Sequence, residues 1–559
     1  MFTQPLAPIA GSLTLSALLA ALPLILLFLL LGVFKVKAWV AAICGLAASI
    51  LVALVGWGMP ALMALSATAE GAFYGAIPIM WILLNAIWIY QLSVITGWFE
   101  SLGQLIRSIS DDQRVLSILI AFCFGALMES LAGFGAPVAI SAAMLMAAGI
   151  KPMKAALVSL LANTAPVAFG AMGAPIIALA SVTGIDVHLL SQMAGRQTPF
   201  VALIVPLVLV LIVDGVRGVK QTWPVALVAG FVFGLSQFVT SNFITVEITD
   251  VVASLAAIAA VLVMLRFWKP ANPLALDHSA IAESAAAGTG RLAHYTEVTA
   301  TGGRRVWGAI APYAIIIVVF SISQIPAVKS WLLSIGQVKF PWPGLGSYGP
   351  DGKAVSQVLN SAGKPVSTVF TLDHLRATGT LLLLSGIITT IVYRVRAADA
   401  LRAYVGTIKQ LKFTIVTVLS VLALAYVMNL SGQTASLGNA LAAVGSAFAI
   451  MSPVIGWLGV AITGSDTSSN SLFGLLQVTA ANKAGLNPIL MASANSSGGV
   501  MGKMISPQNL AVAAAAVAMV NKEGDIFRKV VGWSLGLLAY FTILVVLQAG
   551  PLSWMVPTR

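Results

Sequence analysis

Three charged side chains occur in stretches that are otherwise apolar or built from small residues. Lys503 lies in NSSGGVMGKMISP, Glu129 in MESLAGFGAP and Asp466 in TGSDTSSN. In buried surroundings a carboxyl group favours its protonated form, and a nearby cation favours the charged form again. A lysine together with two carboxyl groups can therefore bind an anion and exchange a proton.

We expect Lys503 to neutralise a bound carboxylate or to hold Asp466 ionised. A lysine at the centre of a membrane helix costs roughly 2.5–3.5 kcal/mol on insertion scales, and a nearby anion offsets that cost. Glu129 and Asp466 are the expected proton-coupling residues. The alternatives are structural: Lys503 could extend its ammonium group to the membrane interface or form a fixed pair, and Asp466 could cap a helix.

Four stretches rich in glycine, serine, asparagine and proline predict helix breaks: GFGAP, NTAP, GSDTSSN and NSSGG. A broken helix leaves backbone N–H groups unpaired, and their partial positive charge can hold an anion. At membrane depth such irregular backbone is tolerated only where it is buried in protein or lines a cavity. The glycines expected at the broken-helix backbone are Gly133, Gly135, Gly464, Gly498 and Gly499.

The elements that position these residues are predicted to be membrane helices. Of the 559 residues, 59% are hydrophobic and only 9% are charged, which excludes a soluble globular chain. Helix-breaking residues, and not short alternating strands, separate the apolar runs, so the predicted fold is an all-α polytopic membrane protein of roughly 12–14 transmembrane helices. The longer apolar runs cover 13–34, 38–57, 71–96, 199–213, 224–240, 249–268, 307–326, 375–393, 413–430 and 530–550.

The net charge of +12 is distributed in a way that argues against nucleic-acid binding. Lysine and arginine are concentrated in alternate loops, which the positive-inside rule places in the cytoplasm. The opposite loops, including 241–250, then face outward, as do both termini. Segment 269–306 is expected to be a flexible cytoplasmic linker, and segment 327–374 an irregular external loop.

An internal repeat relates the two halves of the chain. Residues 162–175 (ANTAPVAFGAMGAP) align without a gap with 494–507 (ANSSGGVMGKMISP), 332 positions later. Lys503 then has the neutral Ala171 as its counterpart, and Glu129 pairs approximately with Asp466. The charge rule brings the chain to the two acidic turns from opposite sides, which predicts inverted repeats of the kind found in secondary transporters.

The predicted organisation follows from this repeat. The first inverted repeat covers 1–213 and contains three spans and a broken-helix block at 114–190. Connecting transmembrane helices at 214–268 and the linker at 269–306 follow. The second inverted repeat covers 307–559 and contains three spans, the external loop and a broken-helix block at 453–520.

These motifs resemble the lactate permease family of bacteria, whose members carry L-lactate, D-lactate or glycolate across the inner membrane with protons. The resemblance covers essentially the whole chain and lies in DDQRV, ESLAGFGAPVAI, ANTAPVAFGAMG, AGRQ, TSNF, GWLGVAITGSDTSSN and ANSSGGVMGKMISPQ. It implies a multi-pass symporter of the inner membrane, with a small 2-hydroxy monocarboxylate and a proton as its partners. The sequence contains no nucleophile with an adjacent base, no phosphate loop and no metal-ligand cluster, so we expect no cofactor and no metal, and a membrane enzyme is only a distant alternative.

A 2-hydroxy acid carries a carboxylate and a hydroxyl, so its recognition requires two points of contact. The substrate-binding candidates beside Lys503 are Asn163, Thr164, Asn495, Ser496 and Ser497. The alternative is that these side chains satisfy one another and the backbone at the helix breaks. A sodium-coupled carboxylate or anion carrier of similar architecture also stays open, and the motifs indicate no oligomeric state.

Overall fold

The computed structural model describes residues 1–98, 109–131, 133, 135–274, 303–519 and 522–558. Within these ranges the chain is mainly helical, and its short strands pair only two by two. Nine of the described helices are long and apolar enough to cross a membrane, or up to eleven spans if each of two bent helix pairs counts as one. The chain is therefore an α-helical, multi-pass membrane protein, as predicted, while the higher helix count stays a prediction.

The first described range forms a short strand and four helices that follow the predicted spans. Two of the helices continue into a π-helical turn, at Leu29–Val33 and Gly75–Met80. The elements are β1 (Phe2–Thr3), α1 (Leu13–Phe28), α2 (Ala38–Val55), α3 (Ala61–Tyr74) and α4 (Trp81–Ile95).

The first broken-helix block consists of short helices separated at the glycine-rich motifs. Proline begins two of them at the first or second helical position, where its missing N–H costs nothing. The helices are α5 (Gln113–Ser117), which continues through the π-helical Ile118–Phe124 into α6 (Gly125–Leu131), then α7 (Ala136–Ala147), α8 (Pro152–Ala162), the 3-10 turn Val167–Phe169 and α9 (Gly170–Thr183).

The connecting segment contains three helices, one of which is interrupted by a glycine. Helix α10 (Val187–Ala194) is followed by α11 (Thr198–Phe243) and α12 (Thr249–Phe267). Between the predicted spans 199–213 and 224–240, α11 is interrupted at Gly215, which has φ 66° and ψ −158°. The chain reverses there, because Gly230 in the second half lies against Ala202 in the first half. A positive φ favours glycine, so Gly215 permits this turn.

The segment predicted to be an irregular external loop is in fact partly ordered by backbone pairing. After α13 (Gly303–Gln324), it contains one helix and five strands, whose edges would otherwise leave N–H and C=O groups unpaired. These elements are α14 (Pro326–Gly336), β2 (Gln337–Pro341), β3 (Gly346–Tyr348), β4 (Ala354–Ser356), β5 (Val358–Leu359) and β6 (Val369–Asp373). Most of the predicted linker, residues 275–302, lies outside the described residues.

The second broken-helix block has the same kinds of elements as the first, with one difference. The expected break at NSSGG is wrong: Gly498 and Gly499 lie inside a continuous helix that ends at Lys503. A left-handed Gly464, with φ 74°, does separate the two preceding helices. The helices from the sheet onward are α15 (Thr378–Val392), α16 (Ala397–Ser431), α17 (Gln433–Leu441), α18 (Phe448–Thr463), α19 (Asp466–Ala484), α20 (Pro488–Lys503), α21 (Pro507–Ala516) and α22 (Glu523–Ala549).

The two largest of the apolar clusters among the described residues hold most of these helices together. The larger core joins both broken-helix blocks with α11, α12 and α22, through side chains such as Phe122, Phe233 and Phe541. The second core joins α3 and α4 to α16, to α9 and to the strand segment, and it includes Met63 and Val358. The two broken-helix blocks are therefore packed on each other, and the spans α1–α4 and α16 contact them from outside.

Candidate functional site

A small cavity lies where both broken-helix blocks meet α4. Its volume is about 30 Å³, which is room for only about two water molecules. A larger ligand therefore requires the surrounding helices to move. The lining residues include all three of the charged residues singled out in the sequence; they are Leu83, Glu129, Gly133, Val167, Gly170, Ala171, Pro175, Gly464, Ser465, Asp466, Thr467 and Lys503.

Lys503 and Glu129 form a buried ion pair in this cavity. The Lys503 Nζ lies 2.5 Å from Glu129 Oε1, and the two residues are only 6% and 3% exposed. Lys503 therefore does not pair directly with Asp466, as one expectation had it. Its ammonium group is instead directed into the protein, to a residue 374 positions away in the chain.

Glu129 is held from a second side by Asn163. The Asn163 Nδ2 donates to Glu129 Oε2 at 2.9 Å, so each carboxylate oxygen has its own donor. Asn163 caps the C-terminus of α8, directly before the break at NTAP. The break therefore places an amide, and not unpaired backbone N–H groups alone, on the carboxylate.

Glycine at position 170 makes room for this carboxylate. A Cβ added to Gly170 would lie 3.0 Å from Glu129 Oε1. Gly133 and Gly135 have φ of 42° and 85°, values that favour glycine, at the break that follows Glu129. Three of the glycines predicted at helix breaks, Gly133, Gly135 and Gly464, thus lie at breaks beside the cavity or its rim.

The start of α9 is a left-handed turn. Ala171 and Met172 have φ of 46° and 57°, and Gly173 follows with φ of 76°. A left-handed conformation costs roughly 1–2 kcal/mol for a residue with a Cβ. This strain lies directly at the cavity, since Ala171 is one of its lining residues.

Asp466 is not the helix cap, because Ser465 does that. The Ser465 hydroxyl accepts from the Ser468 N–H at the start of α19. Asp466 instead accepts from two side chains at Oδ2, Ser496 Oγ at 2.6 Å and Asn470 Nδ2 at 3.3 Å. In the described part of the chain, its other oxygen, Oδ1, is buried and has no hydrogen-bond partner.

A polar network behind Asp466 uses two of the predicted substrate-binding side chains, Asn495 and Ser496. Asn495 donates to Asn470 Oδ1 at 2.9 Å and accepts from Gln477 Nε2 at 3.0 Å. Asn470 also donates to the Pro175 carbonyl oxygen at 3.1 Å, which joins α19 to α9. Asn495 and Ser496 therefore orient Asp466 and the two blocks, and they do not line the cavity.

Two further candidates lie away from the cavity wall. Thr164 donates to the carbonyl oxygen of Leu161 at 2.7 Å, so its hydroxyl is used within its own turn. The Ser497 hydroxyl is buried without a hydrogen-bond partner among the described residues. The structure thus brings Lys503, Glu129, Asn163 and Asp466 together and leaves Thr164, Asn495 and Ser497 behind the site.

Gly498 and Gly499 have a packing role. A Cβ on Gly498 would lie 2.7 Å from the Pro453 carbonyl oxygen, and one on Gly499 would lie 2.7 Å from Asp466 Oδ1. Small residues let two membrane helices approach closely. These glycines therefore bring α20 against α18 and next to Asp466.

Sequence analysis missed a second buried polar network beside the NTAP break. Gln237 Nε2 donates to Asp250 Oδ1 at 2.9 Å and to the Ala165 carbonyl oxygen at 3.4 Å, and Thr198 Oγ1 donates to Gln237 Oε1 at 2.8 Å. The residue that could have indicated this network is Gln237, a glutamine within a predicted apolar span. The same signal, polar residues within a helix that must be buried, marks Asn470 and Gln477.

The fold and the site together define a class of protein: a multi-pass helical membrane transporter with charged residues buried at helix breaks. Comparison with known proteins gives the family. The L-lactate permease family matches residues 16–550, and the chain belongs to this family. Its members are permeases and not enzymes.

Relatives align over almost their entire length. The L-lactate permease of Bacillus subtilis (strain 168) is 41% identical over 100% of both chains. The L-lactate permease of Escherichia coli (strain K12) is 40% identical over 98% of both chains. The glycolate permease GlcA of the same strain is 41% identical, also over 98% of both chains.

Solved structures show only distant similarity. The YdaH transporter of Alcanivorax borkumensis is 14% identical over 84% of both chains, with a TM-score of 0.40. MtrF of Neisseria gonorrhoeae, described as illuminating a class of antimetabolite efflux pumps, is 15% identical over 93% of this chain and 97% of that chain, with a TM-score of 0.48.

Proposed function

We propose that this protein is a proton-coupled symporter of a small 2-hydroxy monocarboxylate, L-lactate, D-lactate or glycolate, in the bacterial inner membrane. The observation that carries the proposal is the buried Lys503–Glu129 pair, 2.5 Å apart, at a cavity between two broken-helix blocks. Relatives named for L-lactate and glycolate support the substrate class.

Substrate binding displaces Glu129 in this mechanism. A substrate carboxylate that contacts Lys503 Nζ competes with Glu129 Oε1 for the same ammonium group. Glu129 keeps the Asn163 amide, at 2.9 Å, but loses its counter-charge. A buried carboxylate without a partner is costly, whereas a carboxylic acid is neutral. Glu129 therefore takes up the coupled proton as the substrate binds.

This exchange keeps the net charge of the pair constant. The empty site holds one ammonium and one carboxylate, and the loaded site holds the ammonium, the substrate carboxylate and a protonated Glu129. Both sums are zero. A site with substrate but no proton would bury a net negative charge, which opposes movement through the membrane interior. Because the empty pair and the pair with both substrate and proton are neutral, one proton moves with each substrate.

Asp466 supplies the second point of recognition. Its Oδ1 atom has no hydrogen-bond partner within the described ranges, and Asp466 lines the same cavity as Lys503. A substrate 2-hydroxyl can donate to this oxygen while the carboxylate binds Lys503. Asp466 is also the second proton-coupling candidate, so an Asp466→Asn variant must be tested both for accumulation and for selectivity.

We also propose the orientation, with both termini extracytoplasmic. The charge distribution supports it, since the basic segments near Lys35, Arg217 and Arg402 fall at the opposite ends of the helices. The inverted relation of the halves, with the boundaries 1–213 and 307–559, belongs to the same proposal.

Uptake by proteoliposomes tests the function. Radiolabelled L-lactate is offered to wild type and to Lys503→Gln under an imposed pH gradient, with and without sodium. We expect proton-driven accumulation by the wild type that does not require sodium, and its loss in Lys503→Gln. Accumulation that follows a sodium gradient without a pH gradient would replace the proposal by a sodium-coupled carboxylate carrier. Unchanged uptake by Lys503→Gln would remove Lys503 from the site.

A further inference from the structure

An apolar groove lies on the outside of the helix bundle, along the two halves of α11. It encloses about 550 Å³ and shares no lining residue with the Glu129–Lys503 cavity. This volume is within the range of about 300–1,000 Å³ that is typical of small-molecule sites. Its walls are formed by Phe200, Leu203, Phe231, Leu235, Phe238 and Trp554.

Glycines form the floor of the groove. A Cβ on Gly230 would lie 2.8 Å from the Ala202 carbonyl oxygen, and one on Gly234 would lie 3.1 Å from Pro199 Cβ. The two halves of α11 therefore touch through backbone atoms, and the aromatic side chains on either side rise above this contact. Phe231 and Trp554 remain 59% and 76% exposed, so the walls face the surroundings of the protein.

A fixed positive charge lies at one end of the groove. Arg196 Nε donates to Asn242 Oδ1 and Nη1 donates to the Met555 carbonyl oxygen, both at 2.8 Å. These two bonds hold the guanidinium in position without neutralising it. No carboxylate of the described residues lies within 4 Å of Arg196. Its remaining N–H groups are suited to an anion, for which the planar guanidinium is a strong donor.

We propose that this groove binds an anionic phospholipid, with an acyl chain between the aromatic walls and the headgroup phosphate on Arg196. An acyl chain matches the apolar lining, and a net negative headgroup matches the uncompensated guanidinium. The position agrees with this occupant, because Arg196 lies at the junction of α10 and α11 beside Trp554, and tryptophan is enriched at the headgroup level of membranes.

Lipid competition tests the proposal. The full-length protein in micelles is offered equimolar phosphatidylglycerol and phosphatidylcholine with identical acyl chains, and bound lipids are counted by native mass spectrometry. We expect the wild type to prefer phosphatidylglycerol. Arg196→Gln should reduce that preference about fivefold, the effect of one basic residue at a membrane surface, and Arg196→Lys should retain most of it. Arg376→Gln, which removes a charge outside the groove, should leave it unchanged.

A second variant tests the groove itself. Leu235→Trp fills the groove and keeps Arg196, so it should lower binding of both lipids. Three results would overturn the proposal: an unchanged headgroup preference in Arg196→Gln, unchanged lipid binding in Leu235→Trp, or a wild-type dimer that Leu235→Trp dissociates. The last result would assign the groove to contact between two copies of the chain.

Discussion

At the scale of single residues, the site depends on the buried ion pair between Lys503 and Glu129, in which each charge compensates the other. Sequence identifies Lys503, Glu129 and Asp466, because charged residues within apolar and small residues are costly and therefore informative. It does not identify their partners. Lys503 and Glu129 are 374 positions apart, and whether Lys503 meets Glu129 or Asp466 is decided by helix packing that no local pattern contains.

Neutralising one partner of this pair should damage stability as well as transport. Lys503→Gln leaves Glu129 buried without its cation, so we expect the free energy of unfolding to fall by about 3–5 kcal/mol. The double variant Glu129→Gln/Lys503→Gln should regain most of this loss but no lactate transport. Thermal unfolding in detergent and uptake in proteoliposomes measure the two effects.

The matched control is the exposed pair Asp399–Arg402, whose side chains are 44% and 80% exposed. Arg402→Gln should change stability by only about 0–1 kcal/mol. If the double variant at the buried pair is no more stable than Lys503→Gln alone, the two residues do not act as a compensating pair.

Asp466 should govern the distinction between lactate and acids that lack the hydroxyl. In Asp466→Asn, the site loses the acceptor at Oδ1, and a typical hydrogen bond contributes about 0.5–1.5 kcal/mol. We expect lactate to lose roughly twofold to tenfold of its advantage over propionate. Competition by unlabelled propionate against labelled L-lactate measures this ratio. An unchanged ratio would exclude Asp466 as the hydroxyl acceptor.

At the scale of elements, glycine-rich composition predicts helix breaks correctly at some positions and wrongly at others. Gly464 and Gly135 lie at breaks, whereas Gly498 and Gly499 lie within α20. The difference is tertiary: α20 packs on α18 with its glycines in the contact, so the helix continues for another turn. In the first block the equivalent stretch is broken, and the left-handed turn at Ala171 follows it.

The left-handed turn predicts that a substitution by glycine stabilises the protein. Ala171→Gly should raise the free energy of unfolding by about 1 kcal/mol, since the relief of roughly 1–2 kcal/mol exceeds the entropic cost of a glycine. Ala174→Gly, at a buried helical position three residues later, should lower it by about 1 kcal/mol. Thermal unfolding of both variants is the measurement. Destabilisation of equal size in both would show that position 171 is not strained.

At the scale of the whole molecule, several segments predicted to be extracytoplasmic meet at one end. β1 pairs with β5, Thr378 Oγ1 donates to Glu247 Oε1 at 3.2 Å, and Arg196 joins Asn242 to Met555. The positive-inside rule assigns these segments to the same side of the membrane from loop charge alone, and that orientation stays a prediction. The strands of segment 327–374 were not predicted, because they are short and because one of them pairs with residues 2–3, far away in the sequence.

Cysteine labelling tests the orientation. In a variant without Cys44 and Cys123, the exposed positions Ser361 and Ala398 are changed to cysteine one at a time. A membrane-impermeant maleimide added to intact spheroplasts should label Ser361→Cys, whereas Ala398→Cys should react only after permeabilisation. The reverse pattern would invert the proposed topology, and labelling of both in intact spheroplasts would contradict it.

The displacement of Glu129 from Lys503 by substrate is the central claim, and proton uptake on binding tests it most directly. L-lactate is added to the purified protein in a weakly buffered solution, and the pH change is recorded with an indicator dye for wild type and Glu129→Gln. We expect the wild type to take up about one proton for each lactate bound, as neutralisation of one displaced carboxylate requires, and Glu129→Gln to bind lactate without proton uptake. Lactate binding to the wild type without proton uptake, or equal uptake by both proteins, would contradict the mechanism.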